Sequence, residues 1–323
     1  MDPYKMNLIL RVAKRYYELG MSQIEIARAE HLSKSTVSRL LGQARELGMV
    51  KISIVEPKHA FVDLENAMKD AFGLDRVTIL PDVVGSRDVL RKDVCTALAD
   101  DLSRDVQDGE VVGVAWGHTL SVLTAVLPKH IDKKGIKIIQ LNGGLSKALY
   151  DAGADHIVRA FVHCFEGEGY LLPAPALVDT AEIAASIKSD SSVARILTLA
   201  ENCRTAIYSV GTTGHSTALY QMGYFSEKEY EKLEKLAVGD VCSHFIDQEG
   251  RIASRELDAR VVATPLSEIK KIPNKMVAAV GLDKVPAVLA ALEGGMVDKL
   301  YIDQPAAAEI MRRKTAQKKS DPI

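Results

Sequence analysis

Six short apolar runs, separated by stretches of helical periodicity, constrain this chain more than any other feature. The runs are RVTIL (76–80), EVVGVAW (110–116), IKIIQL (136–141), RTAIYSV (204–210), KMVAAV (275–280) and KLYID (299–303), and helical stretches such as Asp88 to Val106 and Ala181 to Asn202 lie between them. Strand, helix, strand in that order predicts an α/β fold with a largely parallel, doubly wound sheet. With 47% hydrophobic residues, the 323-residue chain has the apolar surface to fill such a core.

The first 56 residues have a different pattern. Leu8, Ile9, Val12, Ala13, Tyr16, Tyr17 and Leu19 recur at helical spacing and the run stops at Gly20. Ser22 with Glu25 forms a capping box for a short second helix, whose buried face is expected from Ile24, Ile26 and Ala27. A turn at Glu30, His31 and Leu32 follows, with His31 where such turns often carry glycine. Ser33 then caps a third helix with an apolar stripe of Val37, Leu40, Leu41, Ala44 and Leu47, ending at Gly48.

This is the spacing of a helix-turn-helix, in which the start of the second helix of the pair enters the DNA major groove. Ser33, Lys34, Ser35, Thr36, Ser38 and Arg39 are the candidate contacts, since such side chains bond base edges and phosphates. The strand-like MVKISIVE after Gly48 would make a wing or connecting hairpin.

Charge follows the same division. Residues 1–56 carry nine Lys/Arg against six Asp/Glu, and the remainder 32 against 37. A mildly basic head on an acidic body suits a DNA-reading module joined to something else. Pro57 and Lys58 mark the boundary, after which FVDLENAMKDAFGL reads as a linking amphipathic helix. The expected division is a head at 1–56, an effector-sensing and oligomerising body at 57–315 and a flexible tail at 316–323.

The start MDPYKMNLIL has no signal-peptide pattern and no stretch has membrane-spanning length, so the expected location is the cytoplasm. Cys95, Cys164, Cys203 and Cys242 form no CxxC pair, which points to buried thiols and to no metal site.

In a doubly wound sheet, ligands bind beyond the carboxyl ends of the strands. Four segments there contain glycine: Trp116-Gly117-His118-Thr119-Leu120, Asn142-Gly143-Gly144-Leu145-Ser146, Gly211-Thr212-Thr213-Gly214 and Gly281-Leu282-Asp283-Lys284. Their backbone N–H groups and the helices that follow suit a phosphate, with Thr119 and Lys284 adding a hydroxyl and a cation. Neither GxGxxG nor GxxxxGK[ST] is present, which disfavours a nucleotide, and no cofactor is expected. There is no GxSxG or HExxH, and of the eight scattered histidines only His118 falls in a candidate site, while His163 reads as structural.

Gln23, Ala27 and TVSRLL (36–41), followed by GVAWGHTL from Gly113, QLNGG from Gln140, LPAPALV from Leu172, SVGTTG from Ser209 and GDVCSHFIDQEG from Gly239, resemble the SorC family of bacterial sugar-catabolism regulators. That family is related to the bacillary deoxyribonucleoside regulator, and the resemblance covers nearly the whole chain. It implies an effector domain similar to the sugar-phosphate isomerase and CoA-transferase-like fold, binding a phosphorylated sugar, in a homodimer or homotetramer on operator DNA. By the same resemblance Gly117, His118, Thr119 and Leu120 match the phosphate loop, Lys284 a basic residue of the last glycine loop and Asn142, Gly143 and Gly144 the sugar-side loop. Gly211 falls in the VGTTG motif and Asp247 in the last motif.

One departure carries a chemical consequence. The deoxyribonucleoside regulator has a lysine in the QLxGG motif, able to form a Schiff base with an aldehyde sugar, where this chain has Asn142. An amide cannot do this, so reversible, noncovalent binding is expected. Two alternatives accompany this reading. One is a phosphosugar isomerase or transferase-like enzyme with an accessory head; the other makes the head a protein-interaction module without DNA affinity.

Overall fold

The structure, a computed structural model, describes residues 3–50, 61–144, 153–215, 217–221 and 223–320. The chain divides into two compact units, Met1–Ala60 and Phe61–Ile323.

The first unit holds α1 (Pro3–Tyr17), α2 (Gln23–Ala29) and α3 (Lys34–Glu46) around Ile9, Val12, Ala13, Ile26, Ala27, Val37, Leu40, Leu41 and Ala44. The expected capping box is present: Glu25 N–H donates to Ser22 Oγ at 3.3 Å, and Ser22 N–H to Glu25 Oε2 at 2.8 Å. His31 holds the turn in the left-handed region at φ 54°. Glu30, its side chain 6% exposed, takes Arg11 at 2.7 Å and Arg15 at 3.0 Å, tying the turn to α1.

Two expected core positions are corrected. Ile24 is 51% exposed, because two residues of helix place it across the axis from Ile26. Leu47 is 43% exposed, because α3 ends at Glu46 and its stripe stops at Ala44. Of MVKISIVE, residues 51–56 lie outside the described residues, as do Pro57 and Lys58.

The second unit opens with α4 (Val62–Phe72) and continues β1 (Arg76–Leu80), α5 (Arg87–Asp105), β2 (Val111–Val114), α6 (His118–Val126), β3 (Lys137–Gln140), α7 (Ala154–Phe165), β4 (Glu168–Tyr170), α8 (Ala181–Ser189) and α9 (Ser191–Ala200). There follow β5 (Cys203–Tyr208), β6 (Val210–Thr212), α10 (Ala218–Gln221), α11 (Glu227–Leu236), β7 (Gly239–Val241), β8 (His244–Ile246), α12 (Arg255–Asp258) and α13 (Leu266–Lys271). The chain closes with β9 (Asn274–Ala279), a 3-10 turn (Leu282–Lys284), α14 (Val285–Glu293), β10 (Lys299–Asp303) and α15 (Gln304–Ser320). The tail expected from residue 316 therefore begins inside α15, and 321–323 lie outside the described residues.

Seven strands form one sheet in the order β1-β10-β9-β5-β2-β3-β4, all pairings parallel. Central strands are buried on both faces, which is why they read as unbroken apolar runs: neighbours such as Ile138 and Ile139 enter separate cores. From β2 the chain moves outward through β3 and β4, and from β5 in the other direction through β9 and β10. The sheet therefore reverses direction between β2 and β5, which opens a crevice at their carboxyl ends. At the amino-terminal end Arg76 and Lys299 pair with buried Asp101 and Asp105 at 2.7 and 2.9 Å, closing that side.

Two features were not expected from the sequence. The stretch 181–202 is two helices, broken at Asp190, whose extended backbone and side-chain bond to Ser192 N–H start α9. Strands β6, β7 and β8 form a separate antiparallel sheet, so Gly211 and Thr212 sit in a strand rather than a loop.

Candidate functional site

A cavity of about 270 Å³ lies in the crevice between β2 and β5. Its first wall follows β2, where Gly117 at φ 138° turns the chain straight into α6, in a conformation that disfavours side-chain-bearing residues. The first turn of α6, whose leading N–H groups have no partner within the helix and no side-chain cap among the described residues, begins at His118 and Thr119, which line the cavity. Arg91 of α5 donates to His118 Nε2 at 3.0 Å and to Asp88 at 2.7 Å. A ring nitrogen that accepts from a guanidinium carries no proton, and burial together with Arg91 lowers the His118 pKa from its ordinary value. His118 is thereby held as the neutral tautomer with Nδ1–H available to donate.

Lys284, at the end of the 3-10 turn after β9, reaches back over β5. Its Nζ donates to the Val210 carbonyl at 2.7 Å and to Ser209 Oγ at 3.0 Å. Burial lowers the ammonium to about 8, against the opposing effect of Asp240 and Asp283. The Asp240 carboxyl is raised by burial, while the Ser243 N–H that it accepts at 3.0 Å, Lys284 and His244 counter this. A Cβ at Gly211 would collide with that carboxylate, so glycine at this position leaves Asp240 its place.

The remaining wall combines the end of β3 with the β7–β8 hairpin. Asn142, 2% exposed, donates from Nδ2 to Ser243 Oγ at 2.8 Å, while its Oδ1 has no partner among the described residues. Cys242 and Ser243 form the two-residue hairpin turn at φ 50° and 73°, where Asn-Gly is the usual choice. Trp116 Nε1 donates to the Gly143 carbonyl at 2.6 Å and ties the first wall to this one.

Of the expected site residues, Gly117, His118, Thr119, Asn142, Gly211 and Lys284 line the cavity together. Leu120 instead fills the core beneath α6, one helical step past the exposed turn. Gly143 and Gly144 give their N–H groups to the Val262 and Ala174 carbonyls and support the wall without forming it. Asp247 lies in a separate tight turn, accepting from Arg251 and from Glu249 N–H, so the acidic residue of that motif in the cavity is Asp240. Arg91, Ser209 and Ser243 also line the cavity and were missed. Arg91 has no local signal, because only the packing of α5 against α6 brings it to His118.

The four cysteines are buried and unpaired. Among the described residues no cluster of His, Cys, Asp and Glu is placed to hold a metal ion, and no helix is long and apolar enough to cross a membrane.

On the head, Lys34, Ser35, Ser38 and Arg39 stand exposed along α3 and Thr36 is half-buried. Ser33 is occupied in capping: its Oγ accepts from Thr36 N–H at 3.1 Å and lies 2.9 Å from Ser35 Oγ.

A family model described as "Putative sugar-binding domain" matches residues 56–312. The Deoxyribonucleoside regulator of Bacillus subtilis (strain 168) is 31% identical over 316 residues, 96% of this chain and 99% of that protein. The chain belongs to the SorC family of sugar-binding transcription regulators. Within the SorC family, the Sorbitol operon regulator of Klebsiella pneumoniae is 24% identical over 95% of this chain and 98% of its own. The crystal structure of full-length SorC from Klebsiella pneumoniae shares the fold, with a TM-score of 0.72 at 23% identity over 94% of this chain and 98% of that one. The chain is accordingly a transcription regulator, and these SorC-family relatives lend no support to the enzyme alternative.

Proposed function

We propose that this regulator binds a phosphorylated sugar noncovalently in the crevice between β2 and β5, and that the bound sugar controls how its heads hold operator DNA in the cytoplasm. One observation carries the reading: Arg91, Lys284, Thr119 and the open first turn of α6 converge on one cavity beyond the strand ends. Cations and unpaired N–H groups at a helix start suit a phosphate. Asp240, Asn142 and Ser243 on the opposite wall suit hydroxyl groups. Asn142 has no amine to form a Schiff base, so binding is reversible.

The head, 1–56, reads the major groove through Lys34, Ser35, Thr36, Ser38 and Arg39 of α3, and Ser33 fixes the start of that helix. Two heads on an oligomer of the 57–315 body meet two half-sites, and the effector shifts head spacing or assembly, with a coupling of ~1–3 kcal/mol.

The test uses Trp116, the one tryptophan, which sits in the wall itself. Its fluorescence is followed while the full chain is titrated with sugar phosphates and the matching free sugars, beside a melting-temperature scan. A saturable change with one phosphorylated sugar, absent with its free form, is the expected result. No response in either readout across the panel overturns the reading.

A further inference from the structure

The cavity has a stretch of wall with a hydrogen-bond polarity of its own. Thr217, just before α10, and Asp240 of β7 both line it. Behind Thr217 stands Tyr230 of α11, fully buried. Its hydroxyl accepts from Gly214 N–H at 3.0 Å, donates to the Gly214 carbonyl at 3.0 Å and lies 2.9 Å from Thr217 Oγ1. A phenol has one proton and a carbonyl has none, so all three contacts are hydrogen bonds together only when the Thr217 hydroxyl donates to Tyr230. What Thr217 has left for the cavity is lone pairs.

Asp240 is an acceptor as well. Its Oδ2 takes Ser243 N–H at 3.0 Å, and Oδ1, which lies over Gly211, has no hydrogen-bond partner among the described residues. Burial raises its pKa, while the Ser243 N–H and the Lys284 ammonium favour the charged form. Asp240 stands near enough to Tyr230 to act on it electrostatically, so the two acceptors belong to one stretch of wall. A sugar hydroxyl has a proton to give to either. A tail ending in carboxylate or phosphate instead sets a negative charge against Asp240 and against the lone pairs of Thr217, after shedding its water.

We propose that Asp240 and Thr217 select the tail of the effector: this wall takes the neutral, hydroxyl-bearing tail of a sugar monophosphate and rejects a tail that carries a second anion, as in sugar-acid phosphates and bisphosphates. Asp240 is the specificity-determining residue, and Tyr230, which draws the Thr217 proton away from the cavity, is a positioning residue. Discrimination comes from the repulsive element as much as from the hydrogen bonds. This selectivity rests on the cavity being a sugar-phosphate site, as proposed above.

The experiment titrates the full-length chain calorimetrically with inorganic phosphate, which reports the phosphate end alone, and with matched pairs. These are glucose 6-phosphate against 6-phosphogluconate, fructose 6-phosphate against fructose 1,6-bisphosphate, ribose 5-phosphate against ribose 1,5-bisphosphate, and glyceraldehyde 3-phosphate against 3-phosphoglycerate. At least one neutral-tailed monophosphate is expected to bind more tightly than inorganic phosphate, and about tenfold or more tighter than its partner with the second anion. Asp240→Asn, which can turn an amide N–H toward the cavity, should bring that pair within about threefold. Tyr230→Phe keeps the ring against Tyr220 and Phe225 but frees the Thr217 proton, and should narrow the preference about threefold. A residue that only supported the fold would change both affinities alike and leave their ratio where it was. Should Asp240→Asn fail to fold, the Tyr230→Phe ratio decides. If neither inorganic phosphate nor any sugar phosphate binds, the sugar-phosphate site falls and this selectivity with it. If any of them binds, the selectivity alone is overturned when no neutral-tailed compound improves on inorganic phosphate, when its partner with the second anion binds as tightly, or when the variants keep the native ratio.

Discussion

Arg91 and His118 hold each other across 3.0 Å, guanidinium donating to Nε2, although they stand 27 positions apart with strand β2 between their helices. The pairing leaves Arg91 fixed at the cavity with charge to spare and His118 neutral. Arg91→Met is expected to weaken binding of the phosphorylated effector about 10- to 100-fold, the worth of one charge-assisted hydrogen bond. His118 should also titrate closer to its ordinary value, since one cause of its lowering is removed. Calorimetric titration checks the first and histidine side-chain NMR the second.

In the proposed site, Lys284 is expected to make effector affinity fall as pH rises. The protonated ammonium is the phosphate-binding form, and with burial lowering it to about 8, affinity should hold below that value and decline above it. Lys284→Met should bind more weakly throughout and lose this decline. An affinity that is flat from about pH 7 to 9 in the native chain would contradict the assignment.

Asn142→Lys restores an amine at the cavity wall. With 2-deoxyribose 5-phosphate and borohydride the variant is expected to gain the mass of a reduced adduct, while the native chain gains none. Mass spectrometry of the two samples is sufficient.

On the head, cap and contact should separate. Ser22→Ala removes half of the capping box and is expected to cost about 1 kcal/mol of stability. Arg39→Ala, on the exposed face of α3, should leave the melting temperature within about a degree, weaken DNA binding and lower the salt slope by about one. Thermal melts and fluorescence anisotropy at several salt concentrations measure both.

Six of the seven strands in the large sheet were legible: five are interior parallel strands covered on both faces and so mostly apolar, and β1, at one edge, still buries Val77 and Ile79. The seventh, β4, is Glu-Gly-Tyr at an edge and largely solvent-facing, so it leaves no apolar signal. The β7–β8 hairpin was hidden for another reason. Its turn is Cys242-Ser243, and neither residue advertises the left-handed conformation that each adopts. The cavity was legible where it follows strand ends, as at Gly117, Asn142 and Lys284, and illegible where tertiary packing delivers a side chain, as with Arg91. Asp247 was carried over by resemblance, through the motif that begins at Gly239, and the tight turn there is what its carboxylate serves. Ile24 and Leu47 misled through apolar character alone, where helix phase and helix length decided burial.

The reversal of direction between β2 and β5 gives the cavity a divided ownership. Gly117, His118 and Asn142 come from the arm of chain that runs out through β3 and β4; Ser209, Asp240 and Lys284 come from the arm that runs back through β9 and β10. A small molecule seated there would touch both arms at once, and its arrival would be felt as a change in how firmly one half of the body grips the other. Such tightening would be felt at any surface the two halves share.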